Sequence, residues 1–263
     1  MTSSPSLAGR RVVVTRTREQ ASALSTRLSG LGAEVIELPV LRITQKISKD
    51  LLAEVLLELA TYDWLVFTSA NGVRFFFDEF LRIYDDIRSL GLIRIACVGD
   101  GTARAVADLH LRIESQPAVA TAEALAEQLV KTDSLDHAKL LVITGNLNRD
   151  TLVKKLEEAR AIVDCLQVYQ TEKTDLNGHP GAADFRKRGA DAVLFASSSS
   201  AQSFVDQGFE LAPGGGGKRA LAGSIGPQTS ATLKKCGLKV DFEAATPGID
   251  ELVEALVKRL ASK

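Results

Sequence analysis

The chain has 263 residues, 45% of them apolar and 25% charged, which is enough for two globular domains and typical of soluble proteins. With 32 Lys and Arg against 33 Asp and Glu, the net charge is −1, so no protein-wide field gathers nucleic acid and any anionic ligand must be held by local donors. No apolar run approaches the roughly 20 residues of a membrane span, and the first residues lack the pattern of a signal peptide, so a cytoplasmic protein is expected.

Read in order, residues 10–15 form a buried strand. Thr17 and Gln20 fit a capping box that opens a helix with Leu24, Leu28 and Leu31 on one face, ended by Gly30 and Gly32. Residues 34–38 are a strand stopped by Pro39, and 40–44 continue extended. A helix over 48–60 carries Leu52, Val55, Leu56 and Leu59 on one side. A strand at 64–68 turns through Ser69, Ala70, Asn71 and Gly72 into a helix reaching Phe80. Residues 93–98 are a strand followed by Gly99 to Thr102 and a helix to Leu109, then a weak strand at 111–115 and a helix at 121–130.

The pattern then restarts. A strand at 139–144 leads through a polar turn, Gly145 to Asp150, into a helix ending near Ala159. Residues 162–171 read as an extended segment, because Val168, Tyr169 and Thr171 favour strands. A strand at 192–196 precedes a run, Ser197 to Ser200, that caps a helix to Val205. Residues 213–217 are a loop, 219–225 a strand, and Gly226-Pro227 starts a helix. A strand at 240–243 and a helix at 249–260 complete the chain. Alternating strands and helices predict an α/β fold: two similar flavodoxin/Rossmann-like parallel-sheet domains joined by a two-stranded extended linker.

The second half echoes the first at an offset of about 127 to 130 residues. Leu65 to Ser69 matches Val193 to Ser197, Val98 to Ala103 matches Ile225 to Ser230, Val14-Thr15 matches Ile143-Thr144, and Leu38 to Val40 matches Val168 to Gln170. Two similar units facing each other across a hinge are the expectation, with Tyr169 at the hinge. In open α/β sheets ligands bind beyond the carboxyl ends of the strands, where helix N-termini offer free N–H groups to anions. That makes Arg16, Ser69, Thr102, Arg149, Ser197 and Thr229 candidate contacts, each also explained by capping or surface charge.

Several sharper motifs fail. Gly99-Asp100-Gly101 lacks the third glycine of a dinucleotide fingerprint, since Arg104 stands there. Gly214 to Lys218 lacks the outer positions of a P-loop. No Gly-x-Ser-x-Gly surrounds Ser197 to Ser200. Cys97, Cys165 and Cys236 form no Cys-x-x-Cys and are expected to be buried, reduced thiols, while scattered His110, His137 and His179 give no metal-ligand spacing. The phenylalanines at 75, 76, 77 and 80 read as core.

Taken together, Val14-Thr15-Arg16, Phe67 to Val73, Val98-Gly99 with Thr102-Ala103, Gly145-Asn146 with Arg149, Val168 to Thr171, and Ile225 to Pro227 with Thr229 resemble the uroporphyrinogen-III synthase family over nearly the whole chain. The likeness departs at Ala70, where some relatives carry proline, and in the plainer Ser198 to Ser200 run. The resemblance implies a discontinuous domain of residues 1–38 plus 173–263, a second domain of 45–165, and linker strands at 39–44 and 166–172.

It further implies closure of hydroxymethylbilane, a linear tetrapyrrole with eight carboxylates, to uroporphyrinogen III. Water is lost and the last pyrrole ring is inverted through a spiro intermediate, without metal or cofactor. Tyr169 is then the residue that assists departure of the hydroxyl, and Arg16, Ser69, Asn71, Gly99, Thr102, Gly145, Asn146, Arg149, Ser197, Ser198, Gly226 and Thr229 are the expected substrate contacts. A monomer in transient contact with the upstream deaminase is expected, with neither nucleic acid nor membrane as partner. The rival reading is a two-lobed binding protein for a small anion; a receiver-like module is disfavoured because the strand ends carry hydroxyls in place of an acidic cluster.

Overall fold

A computed structural model describes residues 6–132, 135–147, 150–212 and 218–261. The chain divides into two compact units, Met1–Arg42 with Glu172–Lys263, and Ile43–Thr171. The first contains β1 (Arg11–Val14), α1 (Arg18–Gly30) and β2 (Glu34–Glu37), then α7 (Pro180–Arg188), β8 (Ala192–Phe195), α8 (Ser198–Asp206), β9 (Leu221–Ser224), α9 (Pro227–Lys235), β10 (Phe242–Glu243) and α10 (Ile249–Ala261). The second contains α2 (Lys49–Leu57), β4 (Trp64–Phe67), α3 (Ala70–Tyr84), β5 (Arg94–Cys97), α4 (Asp100–Ala107), α5 (Ala122–Thr132), β6 (Lys139–Gly145) and α6 (Thr151–Glu158). Two strands, β3 (Leu41–Gln45) and β7 (Ile162–Lys173), contain the points where the chain passes from one unit to the other.

Each unit is a five-stranded sheet, in the orders β10-β9-β8-β1-β2 and β3-β7-β6-β4-β5. The pairs β1–β2, β1–β8, β8–β9 and β9–β10, and likewise β4–β5, β4–β6 and β6–β7, are parallel. The internal repeat is visible in these orders. The run β2-β1-β8-β9 corresponds to β7-β6-β4-β5, and the place of β10 is taken by Ser115, which makes a single parallel bridge to Ala96. The predicted strand at 111–115 is thus only that bridge.

Strands buried on both faces need to be apolar throughout, and β4 and β8 are: Trp64 to Phe67 and Ala192 to Phe195 are all buried. In the second unit one face carries Phe67, Phe76, Phe77 and Phe80, whose rings meet 5.2 to 6.0 Å apart. The other face packs Trp64 and Val66 against Leu125, Leu129, Leu152 and Leu156. In the first unit Phe185, Phe195 and Phe204 cover one face, and Leu24, Leu28, Leu252 and Leu256 the other.

Some local expectations are corrected. Thr17 occupies the N-cap of α1, but its side chain accepts no amide and its buried hydroxyl oxygen has no partner, so the capping box does not form. The sequence pattern does not predict helix α7, because it buries only Ala182 and Phe185 and so shows no apolar stripe. Of the three thiols only Cys97 is buried; Cys165 is exposed and Cys236 is intermediate. The predicted loop at 213–217 lies outside the described residues.

Phe76 is fully buried among aromatic rings. Phe76→Ala is expected to destabilise the second unit by about 3–5 kcal/mol, read as an earlier urea transition. A loss under about 1 kcal/mol would contradict so closed a cluster.

Candidate active site at the strand ends

In each sheet the strand order reverses once, between β1 and β8 in the first unit and between β6 and β4 in the second. Such switch points leave a crevice at the carboxyl ends, because the adjoining helices leave on opposite faces. Both reversals are tied by a threonine hydroxyl. Thr15 Oγ1 donates to Leu194 O at 2.8 Å, and Thr68 Oγ1 donates to Ile143 O at 3.2 Å.

At the β4–β6 reversal, Ser69 is the N-cap of α3, and its Oγ accepts the Gly72 N–H at 3.0 Å. The Tyr169 hydroxyl lies 3.0 Å from the same oxygen. The Tyr169 ring stacks on Phe75, centroids 6.0 Å apart, and the Arg74 guanidinium lies 4.3 Å from the centre of that phenylalanine. Beneath Tyr169 is Gly145: a Cβ there would fall 2.4 Å from two of the ring carbons, so only glycine leaves room.

The backbone explains how the ring gets there. Thr144 pairs with Gln167, but the next residue, Gly145, pairs with Tyr169, so β7 carries one extra residue at this point. Strict alternation would put Tyr169 on the face of Cys165 and Gln167, which line an open pocket of about 410 Å³ with Lys154, Asp150 and Glu157. The bulge turns it instead to the face of Leu166 and Val168, against α3. Asn146 fixes the bulged end: its Nδ2 donates to Thr171 O at 3.1 Å and its Oδ1 accepts from Thr171 N at 2.8 Å. Its amide is therefore engaged with β7, a role the sequence did not reveal. Although Cys165 is exposed, partial desolvation by the atoms packed around it, and after that Glu157, Asp164 and Asp150, push its thiol above its ordinary pKa, which disfavours a nucleophilic thiolate in that pocket.

Four helix starts come in two matched pairs across the repeat. Ser197 caps α8 as Ser69 caps α3, accepting from Ser200 N at 3.1 Å, and Ser198 follows it half-buried. Gly99 and Gly226 are the extended N-caps of α4 and α9, where no side chain caps the first-turn amides. Both are crowded by a later loop: a Cβ would meet Ala120 at 2.9 Å from Gly99 and Pro247 at 3.3 Å from Gly226. First-turn N–H groups without a side-chain acceptor suit anions. Thr102 and Thr229 sit in those first turns, 6% and 4% exposed. Asn71 is half-buried in the first turn of α3. Arg16 follows β1 half-buried, and burial lowers its guanidinium from the ordinary value. Arg149 lies outside the described residues.

Comparison with known proteins identifies the family and the fold. The family model described as uroporphyrinogen-III synthase HemD matches residues 22–254. The chain belongs to the uroporphyrinogen-III synthase family. A uroporphyrinogen-III synthase of Synechococcus elongatus is 29% identical over 95% of both chains. The porphyrin biosynthesis protein HemD of Ruminiclostridium josui is 25% identical over 96% of this chain, which spans only 49% of that longer protein. Two solved structures share the fold. A mutant uroporphyrinogen III synthase from the extremely thermophilic bacterium Thermus thermophilus matches with TM-score 0.68 and 18% identity, covering 97% of this chain and 100% of its own. The Helicobacter pylori enzyme gives 0.62 and 16%, covering 95% and 99%. Among the described residues, no helix is long and apolar enough to cross a membrane.

Gly145→Ala forces the Tyr169 ring off its seat. It is expected to destabilise the protein by about 1–3 kcal/mol in chemical denaturation, and Gly145→Ala with Tyr169→Ala is expected to recover part of that loss. Strictly additive losses would show that the two positions do not share this space.

Proposed function

We propose that the chain catalyses the uroporphyrinogen-III synthase reaction, closing hydroxymethylbilane to uroporphyrinogen III with loss of water. The observation that carries the proposal is the Tyr169 hydroxyl held at the β4–β6 reversal of a chain whose family match spans residues 22–254. Of the three tyrosines, Tyr62 donates to Asp164, and burial and that carboxylate raise its pKa well above the ordinary value. Tyr84 donates to Leu56 O. Tyr169 alone stands at the carboxyl end of the sheet, where ligands of such folds bind.

Tyr169 gives its proton to the departing hydroxyl of the substrate. The C–O bond breaks, the hydroxyl leaves as water, and the pyrrole nitrogen stabilises the resulting cation. Attack by the substituted carbon of the last ring gives the spiro intermediate, whose opening and reclosure invert that ring. The proton lost on final closure returns to the phenolate, so the sum is substrate to product plus water.

Selection of the inverted isomer comes from holding the ends of the chain near attack geometry. The substrate's carboxylates are taken by helix N-termini, with Asn71 and Thr102 in the first turns of α3 and α4 and Gly99 opening α4. Arg16, Ser197, Ser198, Gly226 and Thr229 offer further donors at the strand ends of the first unit, and Arg149 is a further candidate cation by its sequence. Gly145 and Asn146 seat and brace the phenol. The two compact units correspond in this reading to the two domains of the family, with residues 39–44 and 166–172 as the linker strands. The protein works as a cytoplasmic monomer and receives its labile substrate from the upstream deaminase by transient contact.

The test generates hydroxymethylbilane in situ with the deaminase, adds this protein, oxidises the products and separates the porphyrins by chromatography. Isomer III is expected in proportion to the protein added. Tyr169→Phe is expected to lower the rate about tenfold to a hundredfold without abolishing it, because positioning remains. Isomer I alone, from folded protein, would overturn the assignment in favour of a binding protein.

A further inference from the structure

The reading of Tyr169 as the proton donor leaves open why this phenol is free to donate. A phenol has one proton. Tyr62 commits it to the Asp164 carboxylate and Tyr84 to the Leu56 carbonyl, both acceptors only. The partner of Tyr169 is different, because the Ser69 hydroxyl can serve as donor or acceptor.

We propose that Ser69 is a positioning residue that donates its hydroxyl proton to Tyr169 Oη and so keeps the phenol proton available for the leaving hydroxyl. The inference rests on the proposed synthase reading and deepens it. Ser69 Oγ is already an acceptor, taking the Gly72 N–H at 3.0 Å at the start of a 15-residue helix. With one lone pair of Oγ taken by the amide, its O–H is available to the neighbour 3.0 Å away, which is Tyr169. The chain of donors runs from Gly72 N–H to Ser69 O–H to Tyr169 O–H to substrate.

The direction matters during the step. When Tyr169 passes its proton to the departing hydroxyl, water leaves and a phenolate remains. Ser69 O–H is then hydrogen-bonded to an anion, a stronger interaction than to the neutral phenol, and the N-terminus of α3 stabilises the same charge. The interaction thus strengthens as the step proceeds, which acts on kcat more than on KM. Phe75 stacks on the ring and Gly145 leaves it room, which keeps this alignment in place.

Ser69 also caps a helix, so the test must separate capping from donation. Ser69→Ala removes cap and donor. Ser69→Gly removes the donor but largely keeps the helix start, because glycine is itself an accepted N-cap. Ser69→Thr keeps both. Both Ala and Gly are expected to lower kcat for isomer III about tenfold with KM little changed, and Thr to restore most of the rate. In a Tyr169→Phe background, Ser69→Gly should cost no further activity, because its effect runs through the phenol.

An activity-independent readout uses tyrosine labelled with ¹³C at Cζ. The chain has 3 tyrosines, and the resonance lost in Tyr169→Phe should move in Ser69→Gly and hold its place in Ser69→Thr. Near-normal kcat in Ser69→Gly, or an additive loss in the double variant, would overturn the role of Ser69 even where wild-type protein makes isomer III. Failure of the wild type to make isomer III would instead remove the synthase reading, while the resonance shift still reports whether the Ser69–Tyr169 bond exists.

Discussion

The one-residue bulge in β7 opposite Gly145 is the constraint on which the candidate site depends. Without it Tyr169 falls on the face of Cys165 and Gln167, beside Asp150, Lys154 and Glu157 and away from Ser69. With it the ring crosses to the side of α3 and meets Ser69 and Phe75. Two features keep the bulge in place. Asn146 imitates a strand edge, giving and receiving one hydrogen bond with Thr171. Gly145 carries no side chain to occupy the space of the ring. Bulges beside functional sites commonly re-aim a side chain in this way.

Around that point the molecule supplies polar groups without supplying net charge. In the proposed reading the near-neutral chain meets an anion through first-turn amides and hydroxyls, whose dipoles are fixed by the helices that carry them. The caps divide the labour. Serines at 69 and 197 satisfy an amide of their own helix, whereas glycines at 99 and 226 leave the first turn without a side-chain acceptor. Both glycines are also packed closely by a following loop, so the same residue serves the backbone approach and the open helix end.

The repeat gives these features a common origin in the fold. Ser69 and Ser197 have nearly the same backbone angles, −157° and 155° against −163° and 156°, and each accepts an amide three residues on. Yet the copies are not equivalent. The Ser197 hydroxyl is surrounded by Ser199 and Ser200, whereas that of Ser69 meets a tyrosine. One scaffold, used twice, thus places a phenol at one copy and a cluster of serine hydroxyls at the other.

The sequence by itself determined the α/β class, the order of nearly all elements and the internal repeat, because these follow from local apolar runs, caps and turns. It also marked the strand-end residues by motif. It missed α7, whose two buried residues make no periodic stripe, and it misread Thr17, whose cap geometry depends on surroundings rather than on spacing. Only the tertiary structure decided which hydroxyl faces Tyr169 and that Asn146 braces Thr171. A period of two along β7 predicts the opposite face for Tyr169, and a bulge is a property of two strands paired together, which no single segment encodes.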